Sequence, residues 1–123
     1  MASHGGNKIA LIVRSRPFAH RTARADLDFA LAAAAMDFEL EIYFVGDAVL
    51  QLADQRNADG AMLPPGYRAW AALPDLVSTR VFAEELWMER CREMGIGLLL
   101  PAEGLPVQQM SQAWRDCPRV MVL

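Results

Sequence analysis

Cys91 and Cys117 are the only thiols in the chain. A thiol does transfer chemistry as its thiolate, which needs exposure and a cation or a helix N-terminus beside it. Cys91 lies between Arg90 and Arg92 in the stretch Glu84–Met94, whose spacing predicts an amphipathic helix. Leu86, Arg90 and Met94 fall on one line of that helix, and Trp87, Cys91 and Met94 on the adjoining one. Neighbours on a helix diverge by about 100°, so the two arginines flank the thiol rather than face it. A mid-helix position also lacks the N-terminal dipole. The residue therefore reads as a buried small hydrophobe, with a sulfur-carrier role as the weaker alternative. Cys117 precedes Pro118 at an expected helix end, where the dipole disfavours a thiolate; it reads as a turn or partner-facing residue.

The second constellation is cationic. Arg14, Arg16, His20, Arg21 and Arg24 follow the apolar run Ile9–Val13. If that run is a strand of an open parallel sheet, the segment lies at the carboxyl edge, the usual ligand site. Guanidinium groups there would take a phosphate or a carboxylate-bearing partner. No glycine-rich cradle accompanies them, so a solvated loop with arginines paired to Asp26 and Asp28 is the plainer reading. Asp47, after Gly46, is expected to cap a helix N-terminus, and with Arg14, Arg16, His20 and Arg21 it completes the ligand or partner loop. A lone histidine and two cysteines do not make a metal site, so no metal is expected, nor any cofactor. No G-x-S-x-G elbow, Walker loop or G-x-G-x-x-G turn is present.

The elements that would position these groups alternate. Ile9–Val13 is rich in β-branched residues and suits a strand buried on both faces. About Ala23–Met36 reads as a helix, with Leu27, Leu31, Ala34 and Phe38 on one face. Leu40–Gly46 is the second strand, followed by a helix over Ala48–Ala53. Tyr67–Leu73 is a short helix and Ser78–Ala83 the third strand. Gly95 is placed to end the Glu84–Met94 helix as its C′ residue. Gly97–Leu100 is expected as the fourth strand. A last helix from Pro106 to about Asp116 should turn Val107, Met110 and Trp114 inward. Arg119–Leu123 is the fifth strand, whose Val-Met-Val-Leu is expected to be buried. Five alternations predict a three-layer α/β/α sandwich on a five-stranded parallel sheet.

With 123 residues, 54% hydrophobic and 22% charged, the chain has the size and composition of one domain. Residues 8–123 are assigned to it, and Met1–Asn7 to a loose N-terminal segment of the kind cloning leaves. No apolar stretch approaches the roughly 18 residues a membrane span needs, and no secretory signal pattern is present. A net charge of −3 leaves no basic surface to hold nucleic acid. A soluble, cytoplasmic protein is expected. Met62, Leu63, Tyr67 and Trp70, in a proline-rich segment ill-suited to burial, are interface candidates and point to an oligomer.

Three stretches resemble the DsrE/DsrF-like family and, within it, the TusC (DsrF-type) branch. They are Ile9–Val13 with Ser15-Arg-Pro-Phe18 and Arg24–Leu31; Tyr43-Phe-Val-Gly-Asp-Ala-Val-Leu-Gln-Leu52; and the closing helix and strand. The resemblance runs from about Lys8 to Leu123 and implies a DsrE/F-like fold. It implies a subunit of a complex with TusB-like and TusD-like chains, relaying persulfide sulfur from a TusA-like donor to a TusE-like acceptor. The end use it implies is 2-thiolation of the tRNA wobble uridine, or sulfur oxidation. In the family the sulfur-bearing cysteine lies just after the third strand of the TusD-type subunit. Here Phe82-Ala83-Glu84 occupies that place without a thiol, which fits a non-catalytic partner. The alternative is a stand-alone homo-oligomer binding a small anion through Arg14, Arg16, His20 and Arg21.

Overall fold

The computed structural model describes residues 7–14, 20–54 and 67–123, and the side chains of 20–23 and 67–68 lie outside the description. The chain runs β1 (Lys8–Val13), α1 (His20–Ala35), β2 (Glu39–Phe44), a 3-10 helix Gly46–Leu52, a second 3-10 helix Tyr67–Ala72, α2 (Leu73–Leu76) and β3 (Thr79–Glu84). It continues as α3 (Glu85–Glu93), β4 (Glu103–Leu105), α4 (Val107–Arg115) and β5 (Arg119–Val122). The five strands form one parallel sheet in the order β4-β3-β2-β1-β5.

Strand alternation sorts side chains to two faces. Ile9, Leu11 and Val13 of β1, Leu40, Ile42 and Phe44 of β2, and Val81 and Ala83 of β3 meet Leu27, Ala30 and Ala34 of α1, Trp70, Leu73 and Cys91. On the opposite face Ala10, Tyr43 and Phe82 meet Met110 and Cys117. Tyr43 stacks on Phe82 at 4.6 Å and takes the edge of Trp114 at 5.5 Å. That gives the expected three layers.

Two helices end alike. After α1, Phe38 N–H reaches Ala33 C=O and Asp37 N–H reaches Ala34 C=O; after α3, Ile96 N–H reaches Cys91 C=O and Gly95 N–H reaches Arg92 C=O. Both are Schellman closures with the C′ residue left-handed, Asp37 at φ 65° and Gly95 at φ 72°. Gly95 therefore ends its helix as its position predicts.

Several expectations are corrected. Gly97–Leu100 does not enter the sheet. Leu98 makes an antiparallel bridge with Ala53, Leu99 N–H donates to Leu52 C=O, and the fourth strand forms beyond Pro101 at Glu103–Leu105. The helix after β2 is a 3-10 turn from Gly46 to Leu52. Val107 is exposed, whereas Met110 is fully buried and Trp114, half-buried, turns its ring inward onto Tyr43 as expected. Leu86 and Met94 also face out, since the sheet takes the Cys91 side of α3. β5 pairs with β1 but is an edge strand, exposed along its whole length.

Candidate functional site at the carboxyl edge of the sheet

All five strands point the same way, so their carboxyl ends share one edge. Arg14 leaves β1 exposed, Gly46 follows β2, and Glu84 closes β3. Gly46 takes φ 63°, a left-handed backbone that turns its N–H away from the β2 direction. That N–H donates to Glu84 Oε2 at 2.7 Å. Glu84 is at once the last residue of β3 and the N-cap position of α3, where its own side chain makes no cap bond. Its carboxylate instead joins the turn after β2 to the turn after β3. The charge sits near the positive ends of two helices, which favours it.

Asp47 lies in the first turn of the 3-10 helix, and the N-cap is Val45, so the expected capping role is corrected. The left-handed Gly46 advances the start of the helix past the place an aspartate would cap.

Of the expected cation loop, Arg14 stands exposed at the end of β1. Arg16 lies outside the described residues; His20 and Arg21 open α1, with their side chains outside the description. Arg24 pairs with Asp28 one helical turn on, at 3.1 Å, as a solvated pair. Met62 and Leu63 also lie outside the described residues, as does the side chain of Tyr67. Trp70, taken from sequence as an interface residue, is buried at 2% exposure with its ring edge-on to Phe44 at 5.0 Å. Its place in the core corrects that expectation. The short helix it belongs to folds back onto the sheet despite the prolines before it.

Both thiols are buried. Cys91 faces the core from α3, and burial raises its pKa. Arg90 turns over the Trp87 ring at 4.6 Å, and Arg92 pairs with Glu89, so each guanidinium is engaged away from the sulfur. Cys117 lies under the sheet beside Glu41. Its Sγ is 3.7 Å from Glu41 Oε1, which also accepts from Tyr43 O–H at 2.8 Å, while Lys8 Nζ reaches Oε2 at 3.3 Å. Burial, then the Glu41 charge, pushes the Cys117 thiol from 9.0 to about 11, against a smaller lowering by Lys8. Burial and Glu41 likewise raise Tyr43. Both protons are donors to one carboxylate, and a protonated thiol is a poor nucleophile.

Sequence reading missed two of these arrangements, the Glu84–Gly46 clasp and the Glu41 network. Glu41 carried a readable signal, an acid set between Leu40 and Ile42 inside a strand. Glu84 carried none, because its partner is a backbone N–H 38 residues away. Among the described residues, no group of three or more His, Cys, Asp or Glu side chains could hold a metal ion. Among them, no helix is long and apolar enough to cross a membrane.

Comparison with known proteins agrees with this architecture. Residues 7–82 match the sequence model of the DsrE/DsrF-like family. Protein TusC of Klebsiella pneumoniae (strain 342) is 34% identical over 97 residues, covering 76% of each chain. The crystal structure of the YchN protein from E. coli superposes with a TM-score of 0.70 over 95% of this chain and 99% of that one, at 16% identity, which is a likeness of fold.

Proposed function

The chain belongs to the DsrE/DsrF-like family, and from that premise we propose that it is a TusC-like, non-catalytic subunit of a sulfur-relay complex. Its companions in this reading are TusB-like and TusD-like subunits, with TusA-like and TusE-like carriers docking on the assembly in the cytoplasm. The product pathway is 2-thiolation of the tRNA wobble uridine.

Persulfide relay is thiol exchange. An acceptor thiolate attacks the outer sulfur of a donor persulfide; a new S–S bond forms, the old one breaks, and the donor leaves as a thiolate. The observation that carries the reading is the state of this chain's sulfur. The β3–α3 junction presents Glu84, already held by Gly46 N–H, and both thiols are buried with raised pKa values. Such a chain contributes surface and geometry to the exchange while another subunit contributes the nucleophile.

The test is a complex rebuilt with TusB-like and TusD-like partners in which Cys91 and Cys117 are both replaced by serine. Serine supplies no thiolate, yet transfer of labelled sulfur from donor to acceptor should stay within about twofold of the unmodified complex, because the nucleophile belongs to another subunit. Unfolding curves run alongside, because a buried unpaired hydroxyl costs about 1–3 kcal/mol. A folded, assembled double variant that passes no sulfur would make one of these thiols a relay station and overturn the reading.

A second reading, a stand-alone homo-oligomer holding a small anion, is favoured by one observation. Strand order reverses between β1 and β5, and exposed Arg14 leaves β1 at that reversal. Calorimetric titration with inorganic phosphate, compared with Arg14→Ala, tests it.

A further inference from the structure

The two thiols are silenced in different ways. Cys91 is 1% exposed among apolar side chains, where burial suffices. Cys117 is less covered, at 9%, in the turn between α4 and β5. Its sulfur meets a charged group, the Glu41 carboxylate, which β2 carries into the sheet between Leu40 and Ile42. A carboxylate drawn out of water is costly unless its oxygens are satisfied, and here both are. Cys117 Sγ lies 3.7 Å from Oε1, Tyr43 O–H donates to that same oxygen at 2.8 Å, and Lys8 Nζ holds Oε2 at 3.3 Å.

This geometry fixes where the proton of the thiol stays. An ionised carboxylate only accepts, so the S–H keeps its proton to make its bond. Losing it would set two negative charges side by side. Tyr43 gives its one proton to Glu41, and Lys8 is engaged on the other oxygen. The remaining charges around the cluster bring no relief. Asp116 is a second negative group beside the thiol, and Arg80, which reaches Tyr43 from β3, is paired with Glu103 at 2.8 Å. Cys117 also follows the carboxyl end of α4, where the helix dipole disfavours an anion.

We propose that Glu41 is a specificity residue of this subunit: by holding the Cys117 S–H as a donor, its carboxylate bars that thiol from sulfur exchange. The barred step is attack of a Cys117 thiolate on the outer sulfur of a persulfide, R–S–SH. A bond from Cys117 Sγ to that sulfur would form, the S–S bond of the persulfide would break, and R–S⁻ would leave. The sulfur would then be diverted from its acceptor. The use of such a bar rests on the sulfur-relay reading; the chemistry at Cys117 does not.

The test reads Cys117 directly, on the whole chain without partners. Iodoacetamide alkylates a thiolate, and peptide mass spectrometry scores Cys117 and Cys91 separately. Glu41→Gln keeps an acceptor oxygen for Tyr43 and Cys117 but carries no charge. At pH 8 it should alkylate Cys117 about tenfold faster than the natural chain, with Cys91 unchanged, because a nearby like charge is gone. Lys8→Gln leaves the Glu41 charge uncompensated and should slow Cys117 about two- to threefold. Lys8 is one-third exposed, so this second variant tests the proposal even where Glu41→Gln fails to fold. A loosened fold would speed both variants, so the opposite signs separate charge from packing. With glutathione persulfide in place of iodoacetamide, Glu41→Gln should gain sulfur at Cys117 about tenfold faster than the natural chain. An unchanged Cys117 rate in folded Glu41→Gln, an unchanged or faster rate in Lys8→Gln, or a natural chain that takes persulfide sulfur at Cys117 as readily as Glu41→Gln would overturn the proposal. Partners are absent from these measurements, so failure of the relay reading leaves the rates as they are, and failure here leaves the double-serine result as it is.

Discussion

The two cysteines show how position and environment divide one residue type. Cys91 is packed among core side chains, and its pKa rises for burial alone. Cys117 is buried too and has in addition a specific partner, Glu41; together they push its thiol up to about 11. In the unfolded chain that thiol ionises near 9.0, so between about pH 9 and 11 the unfolded state binds fewer protons than the folded one. Stability from this group is therefore whole below pH 9 and declines as pH rises toward 11. Urea unfolding of the natural chain and of Cys117→Ala should show their stability difference shrinking by about 1–2 kcal/mol from pH 8 to pH 11. A difference that stayed constant would mean that neither burial nor Glu41 moves the ionisation of this thiol in the folded chain.

At the scale of elements, the clasp between Glu84 and Gly46 ties two turns at the carboxyl edge. It contributes more than a surface ion pair because a partly buried carboxylate accepts from a backbone N–H at 2.7 Å. Glu84→Ala should lower unfolding free energy by about 1–2 kcal/mol. Glu84→Gln, which keeps an acceptor oxygen, should recover about half of that loss. Equal losses in the two variants would assign the effect to charge and not to the hydrogen bond. Gly97–Leu100 teaches a related lesson. Its apolar run reads as a strand, yet the backbone groups of Ala53 and Leu52 compete for it and win, and the sheet is completed by the poorer β-former Glu103–Leu105.

For the whole molecule, burial of Trp70 separates stability from assembly. The indole fills the layer beside Phe44, and its removal opens a large cavity. Trp70→Ala should cost about 3–5 kcal/mol in unfolding free energy. An interface residue would instead change the association state while leaving the single chain's stability nearly untouched.

The sequence by itself determined the class of fold. Ile9–Val13 is apolar and rich in β-branched residues, Leu40–Phe44 is apolar apart from Glu41, and Glu84–Gly95 carries its stop, so local physics and the final structure agree there. It also placed Cys91 inward on the stripe it shares with Trp87, although Met94, assigned to the same stripe, faces out. Tertiary structure alone decided the rest. Whether Val120–Val122 lies at the centre or the edge of the sheet depends on which strand pairs with β1, and a three-residue apolar run reads the same in either place. Which backbone group Glu84 would meet was set by the packing of β2 beside β3, a contact between residues far apart in sequence. Periodicity reports which way a side chain points within its own element; its partner across the fold is chosen by how the elements pack.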